Sequence, residues 1–349
     1  MELSIIPTSH WERLAAAMRK PFPELKFLYM WVEGDTVMSL PDSFLGGSAP
    51  LLQFLLLRNC PFPGILKLLL SAINLVSLSL WKISDSGYVS AQALVTAMSV
   101  MSRLETLCVQ FQSPLYPPSR HPPPLTRSVL PSLTKLVFEG VHEYLEDLLA
   151  QIEAPLLNHL KIAFFMDLNF VVPQLHQLIS HAEWFKRCDR ASVYAYNHAI
   201  QFAIFREAPH SPDLSLEIMC RDLDRQLSSL AQVCNSSLSL LPTLVQLDIV
   251  DPVAPNPQLH WTDNIETTPW LDLLGPFTAV KDLRLSDQVG RHVCQALEEL
   301  AEERVTEVLP KLQNIFLRDP ELFESVPKFI EKFIAARQLS GHPVAVHFW

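Results

Sequence analysis

Glycine is scarce in this chain: 9 of 349 residues, against an ordinary share of about 7%. Loops that cradle phosphates and tight active-site turns consume glycine, so a nucleotide-handling enzyme is disfavoured. The six cysteines, Cys60, Cys108, Cys188, Cys220, Cys234 and Cys294, include no C-x-x-C pair. That scatter argues against a disulfide framework and fits buried thiols in a reducing compartment. Basic residues are outnumbered 27 to 37, a net charge of −10. Without a basic excess a phosphate backbone finds no obvious grip, so no nucleic-acid partner is expected. Long apolar runs are also missing. The richest stretch, Leu51 to Leu80, is interrupted by Arg58, Asn59, Lys67 and Asn74, so it cannot supply the ~20 apolar residues of a membrane span. The first residues, Met1 to Pro7, lack the basic and apolar blocks of a secretory signal. The expectation is an intracellular protein, in cytoplasm or nucleus, with no membrane partner.

Catalytic signatures are absent as well. There is no G-x-S-x-G, G-x-G-x-x-G, P-loop or H-E-x-x-H. Gly46-Gly47-Ser48 reads as a turn. His176 and His181 lie five apart on a predicted helix, which puts them on different faces and spoils them as a zinc pair. Glu298, Glu299, Glu302 and Glu303 read as the wet side of a helix rather than as paired acids. No catalytic residue, cofactor or metal is expected.

What the sequence has in excess is apolar residues, 49%, and proline, 28 copies. The length suggests either about two domains or one long repeat array. A triplet of apolar residues at positions one, four and six recurs nine times. Its copies begin at Leu25, Leu52, Leu75, Leu104, Leu133, Leu157, Leu244, Val280 and Leu312. Six copies carry a proline two residues earlier: Pro23, Pro50, Pro131, Pro155, Pro242 and Pro310. A proline there ends any preceding helix and is expected to open a strand. Helical patterns fill the intervals, at Val89–Met101, Tyr144–Leu149, Pro173–Trp184, Asp222–Val233 and Gln288–Val308. Strand, connection and helix repeating every 23 to 36 residues is the leucine-rich-repeat signature. The 87-residue gap before Leu244 is expected to hold degenerate units, with strands at Ala191–Tyr196 and Leu214–Ile218.

The expected fold is therefore α/β, an irregular leucine-rich-repeat solenoid with parallel concave strands and convex helices. Its irregularity follows from the turn position that usually holds Asn or Cys, which only Cys60 fits. Residues 1–349 are expected to form a single solenoid. Within it lie an N-terminal cap at 1–22, a Pro-rich insertion at 112–128, a Pro/Trp loop at 251–276 and a C-terminal cap at 320–349. The insertion reads as an extended, mobile connection after a strand; the alternative is a docking peptide, since it contains a Pro-x-x-Pro stretch, Pro114 to Pro117, that a proline-recognising groove could hold. Trp261 and Trp270 suggest that the second loop folds back onto the solenoid.

Because strand side chains alternate faces, the residues between the apolar positions point to the concave surface. The candidate protein-binding residues there are Tyr29, Trp31, Arg58, Trp81, Gln110, Glu139, Lys161, Asp248, Arg284 and Arg318. Aromatic and arginine side chains on an exposed surface are typical binding anchors. Several runs also resemble those of fungal F-box proteins with leucine-rich-repeat-like regions. They are Leu40 to Pro50, Leu75 to Ser90, Glu143 to Leu148, Gln226 to Cys234, Trp270 to Ser286, Glu307 to Leu317 and Phe333 to His342. The resemblance implies a repeat that presents substrate, with an F-box docked on the Skp adaptor of a cullin-RING ubiquitin ligase. The F-box itself, which would precede Leu25, is not seen. The expected function is a non-catalytic protein-interaction scaffold, in its finer form a ligase substrate receptor. The alternatives are an F-box-less repeat protein with another binding role and a hydrolase with an unrecognised site.

Overall fold

The structure is a computed structural model, and it describes residues 2–4, 13, 16–32, 39–114, 127–165, 171–182, 187–196, 198–206, 212–220, 222–238, 241–251, 266–300, 304–318 and 326–348. All of the Pro-x-x-Pro stretch after Pro114 lies outside them, as do Trp261, Glu302 and Glu303. The described residues divide into two compact units, Met1–Phe165 and Met166–Trp349.

In the first unit, strands β1 (Glu2–Ser4), β2 (Phe27–Trp31), β3 (Phe54–Arg58), β4 (Ser77–Ile83) and β5 (Thr106–Phe111) lie side by side in chain order. The short β6 (Ser128–Val129) leaves this sheet to pair with β8 (Ile152–Glu153), while β7 (Lys135–Gly140) and β9 (His159–Phe165) continue it. Every pairing is parallel. Helices α1 (Ile65–Ser71), α2 (Ala91–Met98) and α3 (His142–Gln151) fill the crossovers and pack on one another in turn.

The register explains why the leucines recur. Leu28, Leu55, Leu78, Leu107, Leu136 and Leu160 are directly paired from strand to strand, and all six are buried. Each contributes about 1.5–3 kcal/mol by leaving water, but only because its neighbours in the stack are present. Farther along the strands a second buried layer is aromatic. Tyr144 sits 4.8 Å from the Phe111 ring and 5.9 Å from that of Phe138, and its hydroxyl donates to the Val89 carbonyl at 2.9 Å.

The recurrent proline has a different job from the one expected of it. In all nine copies the N–H of the first apolar residue donates to the carbonyl three residues back, at 3.0–3.4 Å. This closes a β-turn, and proline takes its second position, where φ near −65° is required. In all six proline copies the strand begins four residues later. The strand start is instead locked by hydrogen bonding, since one carbonyl of the preceding repeat receives two consecutive N–H groups. Lys26 receives those of Gln53 and Phe54, and Gln53 receives those of Val76 and Ser77. The Gly46-Gly47 turn forms as expected; both glycines have positive φ, 64° and 71°, and Leu45 shares that conformation at 53°.

The second unit departs from the expected rhythm. Helix α4 (Pro173–His181) is followed by β10 (Arg190–Tyr196), β11 (Ala199–Phe205), β12 (Leu214–Met219) and α5 (Leu223–Ser237). Strands β10 and β12 are the two expected in the long gap. Between them β11 pairs antiparallel with both. The sheet then runs from β10 through β13 (Gln246–Val250), β14 (Asp282–Leu285), β15 (Asn314–Leu317) and β16 (Ala345–Phe348), all parallel. The 87-residue gap thus contains one repeat strand, β10, with an antiparallel β-pair inserted after it.

Three further helices follow among the described residues of this unit: α6 (Thr268–Leu274), α7 (Asp287–Glu298) and α8 (Val326–Leu339). Helix α7 stops ten residues before the expected end at Val308, and turns occupy 304–307. Trp270 is fully buried, but within helix α6 rather than a loop. Glu298 meets Lys332 at 2.7 Å and Glu299 accepts from the Thr267 hydroxyl at 2.6 Å, consistent with a wet helix face.

Candidate functional site

In the strands of the first unit the alternation that buries one face leaves most residues of the other half-buried or exposed. In the first unit that face brings four of the expected binding residues together at its N-terminal end. Trp31, Arg58 and Trp81 occupy equivalent positions on β2, β3 and β4. The Arg58 guanidinium carbon lies 4.4 Å from the centre of the Trp31 ring and 5.5 Å from that of Trp81. The cation is held between two indoles, each contact being worth about 0.5–1 kcal/mol at a half-exposed site. Trp31 remains 38% exposed and Phe27 42%. Two residues nearer the strand starts, Tyr29 and Leu56 form the adjacent row, followed by Ser79, Cys108, Val137 and Lys161 in register.

The backbone that presents this row is unusual. Asn59 and Lys82, immediately after Arg58 and Trp81, have φ of 54° and 53°. Lys82 lies where the β4–β5 register slips between Leu80 and Ile83, a bulge that re-aims neighbouring side chains. Asn59 tolerates the left-handed conformation and is tied in twice: its N–H donates to the Trp81 carbonyl at 2.9 Å and its amide to the Val32 carbonyl at 3.4 Å. Non-glycine residues in that region persist only where surrounding contacts hold them.

Farther along the same face, Gln110 and Glu139 are partners across β5 and β7, and Lys161 is exposed on β9. Cys108 lies buried among them. Burial pushes its thiol up to about 12, although Trp81, Lys135 and Lys161 favour the thiolate. Phe54 is the residue that the sequence reading missed: its ring stacks on Phe27 at 5.0 Å. Counting one position back from Leu55 would have found it, since alternation puts it on the open face.

The remaining candidates lie in the second unit and are tied into its own network. Asp248 is 6% exposed, ion-paired with Arg190 and accepting from the Gln246 amide at 2.8 Å. Arg284 lies over the Phe316 ring at 5.4 Å, and Phe316 stacks on His347 at 5.0 Å. Asn314 donates to Asp282 at 2.7 Å and meets His347 at 3.3 Å. Arg318 follows β15, and its N–H donates to the Leu285 carbonyl at 3.0 Å. Here the polar side chains largely answer one another across strands.

At the rim beyond β3 and β4, a shallow recess is lined by Leu57, Cys60, Phe62, Ile65, Trp81 and Lys82, among others. Its cysteine is the one that fits the repeat consensus, and it does the structural work of that position. The Cys60 thiol donates to the Arg58 carbonyl at 3.2 Å, and burial pushes it up to about 12. A thiol so poised is a poor nucleophile. Among the described residues, no group of three or more His, Cys, Asp or Glu gathers to hold a metal ion, and no helix is long and apolar enough to cross a membrane.

No protein-family model matches the chain, and no curated protein matches it in sequence. Among solved structures, the leucine-rich repeat-containing protein LegL7 from Legionella pneumophila aligns over 98% of this chain and 97% of its own, at 13% identity and a TM-score of 0.34. The repeat assignment rests on the strand registers and turn hydrogen bonds above rather than on that likeness.

Proposed function

We propose that this protein is a non-catalytic repeat scaffold that binds a protein partner on the open sheet face of its first unit. The observation that carries this reading is the Trp31–Arg58–Trp81 stack, two indoles and a guanidinium placed side by side on a face that leaves Trp31 38% exposed. Such side chains bury large area at small entropic loss, and they dominate the energetics of protein interfaces. Tyr29 and Phe27 lie along β2 on the same face. Gln110, Glu139 and Lys161 supply the polar margin that an interface core usually has around it. Asp248, Arg284 and Arg318 belong to the other unit, where a second contact area would use Arg284 and Arg318 and leave Asp248 as support.

The test is a triple replacement, Trp31→Ala, Arg58→Ala and Trp81→Ala, in the full chain. Partners captured from a native extract by the unaltered protein are expected to be lost, with thermal unfolding shifted by only a few degrees. Undiminished capture, or wholesale unfolding, would overturn the reading. The resemblance to fungal F-box repeat proteins supports a finer form, a substrate receptor of a cullin-RING ligase. Co-purification of a Skp adaptor from the same extract decides that form, and its absence leaves the scaffold reading intact.

A further inference from the structure

Resting on the binding-face reading above, we infer that the partner offers an acidic, extended peptide segment, and that the Trp31–Arg58–Trp81 stack is its carboxylate clamp. The Arg58 guanidinium makes no hydrogen bond or ion pair with any described residue; it lies over the two indole rings. Stacking occupies the faces of the guanidinium and leaves its N–H edge available. That edge is a planar fork that matches a carboxylate in two parallel hydrogen bonds. Its side chain is already held, so less freedom is lost on binding than for a free arginine.

The charges of the face agree. Its described cations are Arg58, Lys135 and Lys161, with His159 beside them, and its described acids are Glu139 and, on the edge strand β1 in register with Tyr29, Glu2. Lys135 and Lys161 are exposed, and neither makes an ion pair with a described residue. This cationic face belongs to a chain of net charge −10, so it contrasts in sign with the rest of the protein. The second unit shows the opposite arrangement, with Arg190 and Asp248 already paired. A carboxylate arriving at Arg58 therefore meets a guanidinium that no described acid has paired.

The sheet also sets a spacing. Lys161 lies four strands from Arg58, which at about 4.8 Å per strand and two residues along the strand gives a span of about 20 Å. An extended peptide covers that in about six residues. A segment crossing the strands with acids about six positions apart would engage both cations.

The experiment uses the full chain and an array of dodecapeptides of constant apolar content, carrying zero to three glutamates at varied spacing, with glutamine in their place as control. A ten-nucleotide oligouridylate serves as the competing polyanion. Retention is expected to rise with glutamate, to peak for pairs near six apart and to weaken with added salt. Arg58→Met, which keeps the stem between the indoles, is expected to lose at least tenfold in affinity. Lys135→Ser with Lys161→Ser, at exposed positions that tolerate change, is expected to lose several-fold and provides the test if Arg58→Met fails to fold. Retention that ignores glutamate, no retention of any peptide, or tighter binding of the oligouridylate overturns the inference. If peptides bind regardless of acid content but are lost with Trp31→Ala and Trp81→Ala, the carboxylate clamp falls and the binding face stands. If neither peptides nor extract proteins respond to those changes, both fall.

Discussion

Replacing Arg337 by methionine should unhinge the last repeat. Arg337 lies on α8 and is 0% exposed. Its guanidinium donates to the carbonyls of Val305 at 3.3 Å, Pro310 at 3.3 Å and Leu312 at 3.0 Å. Those carbonyls belong to the segment that turns through Leu309, at φ 49°, into β15. Burial lowers the affinity of this guanidinium for its proton, yet no acid pairs with it among its described bonds. Methionine fills much of the same volume but cannot donate. The Val305 and Leu312 carbonyls would then stay buried without a partner, at about 1–3 kcal/mol each. The half-buried Pro310 carbonyl can turn to water, and relief from burying a charge offsets part of the loss. The net expectation is about 3 kcal/mol, felt locally. Hydrogen exchange at the β15 amides Asn314 to Leu317 should accelerate about a hundredfold, since each 1.4 kcal/mol is a factor of ten. Exchange in the first unit should not change. An effect under fivefold at β15 would refute the reasoning, because it would mean those carbonyls find other donors.

Gly140→Ala should destabilise the first unit by about 1–3 kcal/mol through overpacking, read as a lower urea midpoint at unchanged slope. A Cβ there would stand 2.8 Å from Phe111 and 2.9 Å from Phe138, inside an aromatic layer with no slack. The six buried cysteines should resist alkylation at pH 8 until the chain is unfolded. Burial pushes Cys60, Cys108 and Cys294 up to about 12 from 9.0. Between those values the folded chain holds protons that the unfolded chain has released, so stability should fall as pH rises above about 9. A flat urea midpoint from pH 8 to 11 would contradict that.

Legibility in the sequence followed the range of the interactions. The apolar triplets located nine strands because each leucine needs only its counterpart one repeat away, and that need recurs at a readable period. The prolines were equally visible, but their role was not. Proline's fixed φ suits both a turn and a strand start, and the hydrogen bond from Leu52 to Ala49 that decides between them is invisible without coordinates. Strand β11 escaped because its partners are antiparallel and lie outside the repeat period. The run Ala199 to Phe205 is apolar at all but one position, so no single triplet stands out in it, and that content suits a strand buried on both faces.

The candidate site divides along the same line. Alternation alone placed Tyr29, Trp31, Arg58 and Trp81 on one face of neighbouring strands, since a period of two leaves no other choice once the core residues are known. It placed Asp248 and Arg284 on such a face with equal right. Only the tertiary structure showed that Asp248 is enclosed by Arg190, which arrives from 58 residues away, whereas Arg58 rests between two rings with its N–H edge uncommitted to described residues. The physical reason is that a sequence states what a position can offer. Whether that offer is already taken depends on long-range neighbours that no local pattern names.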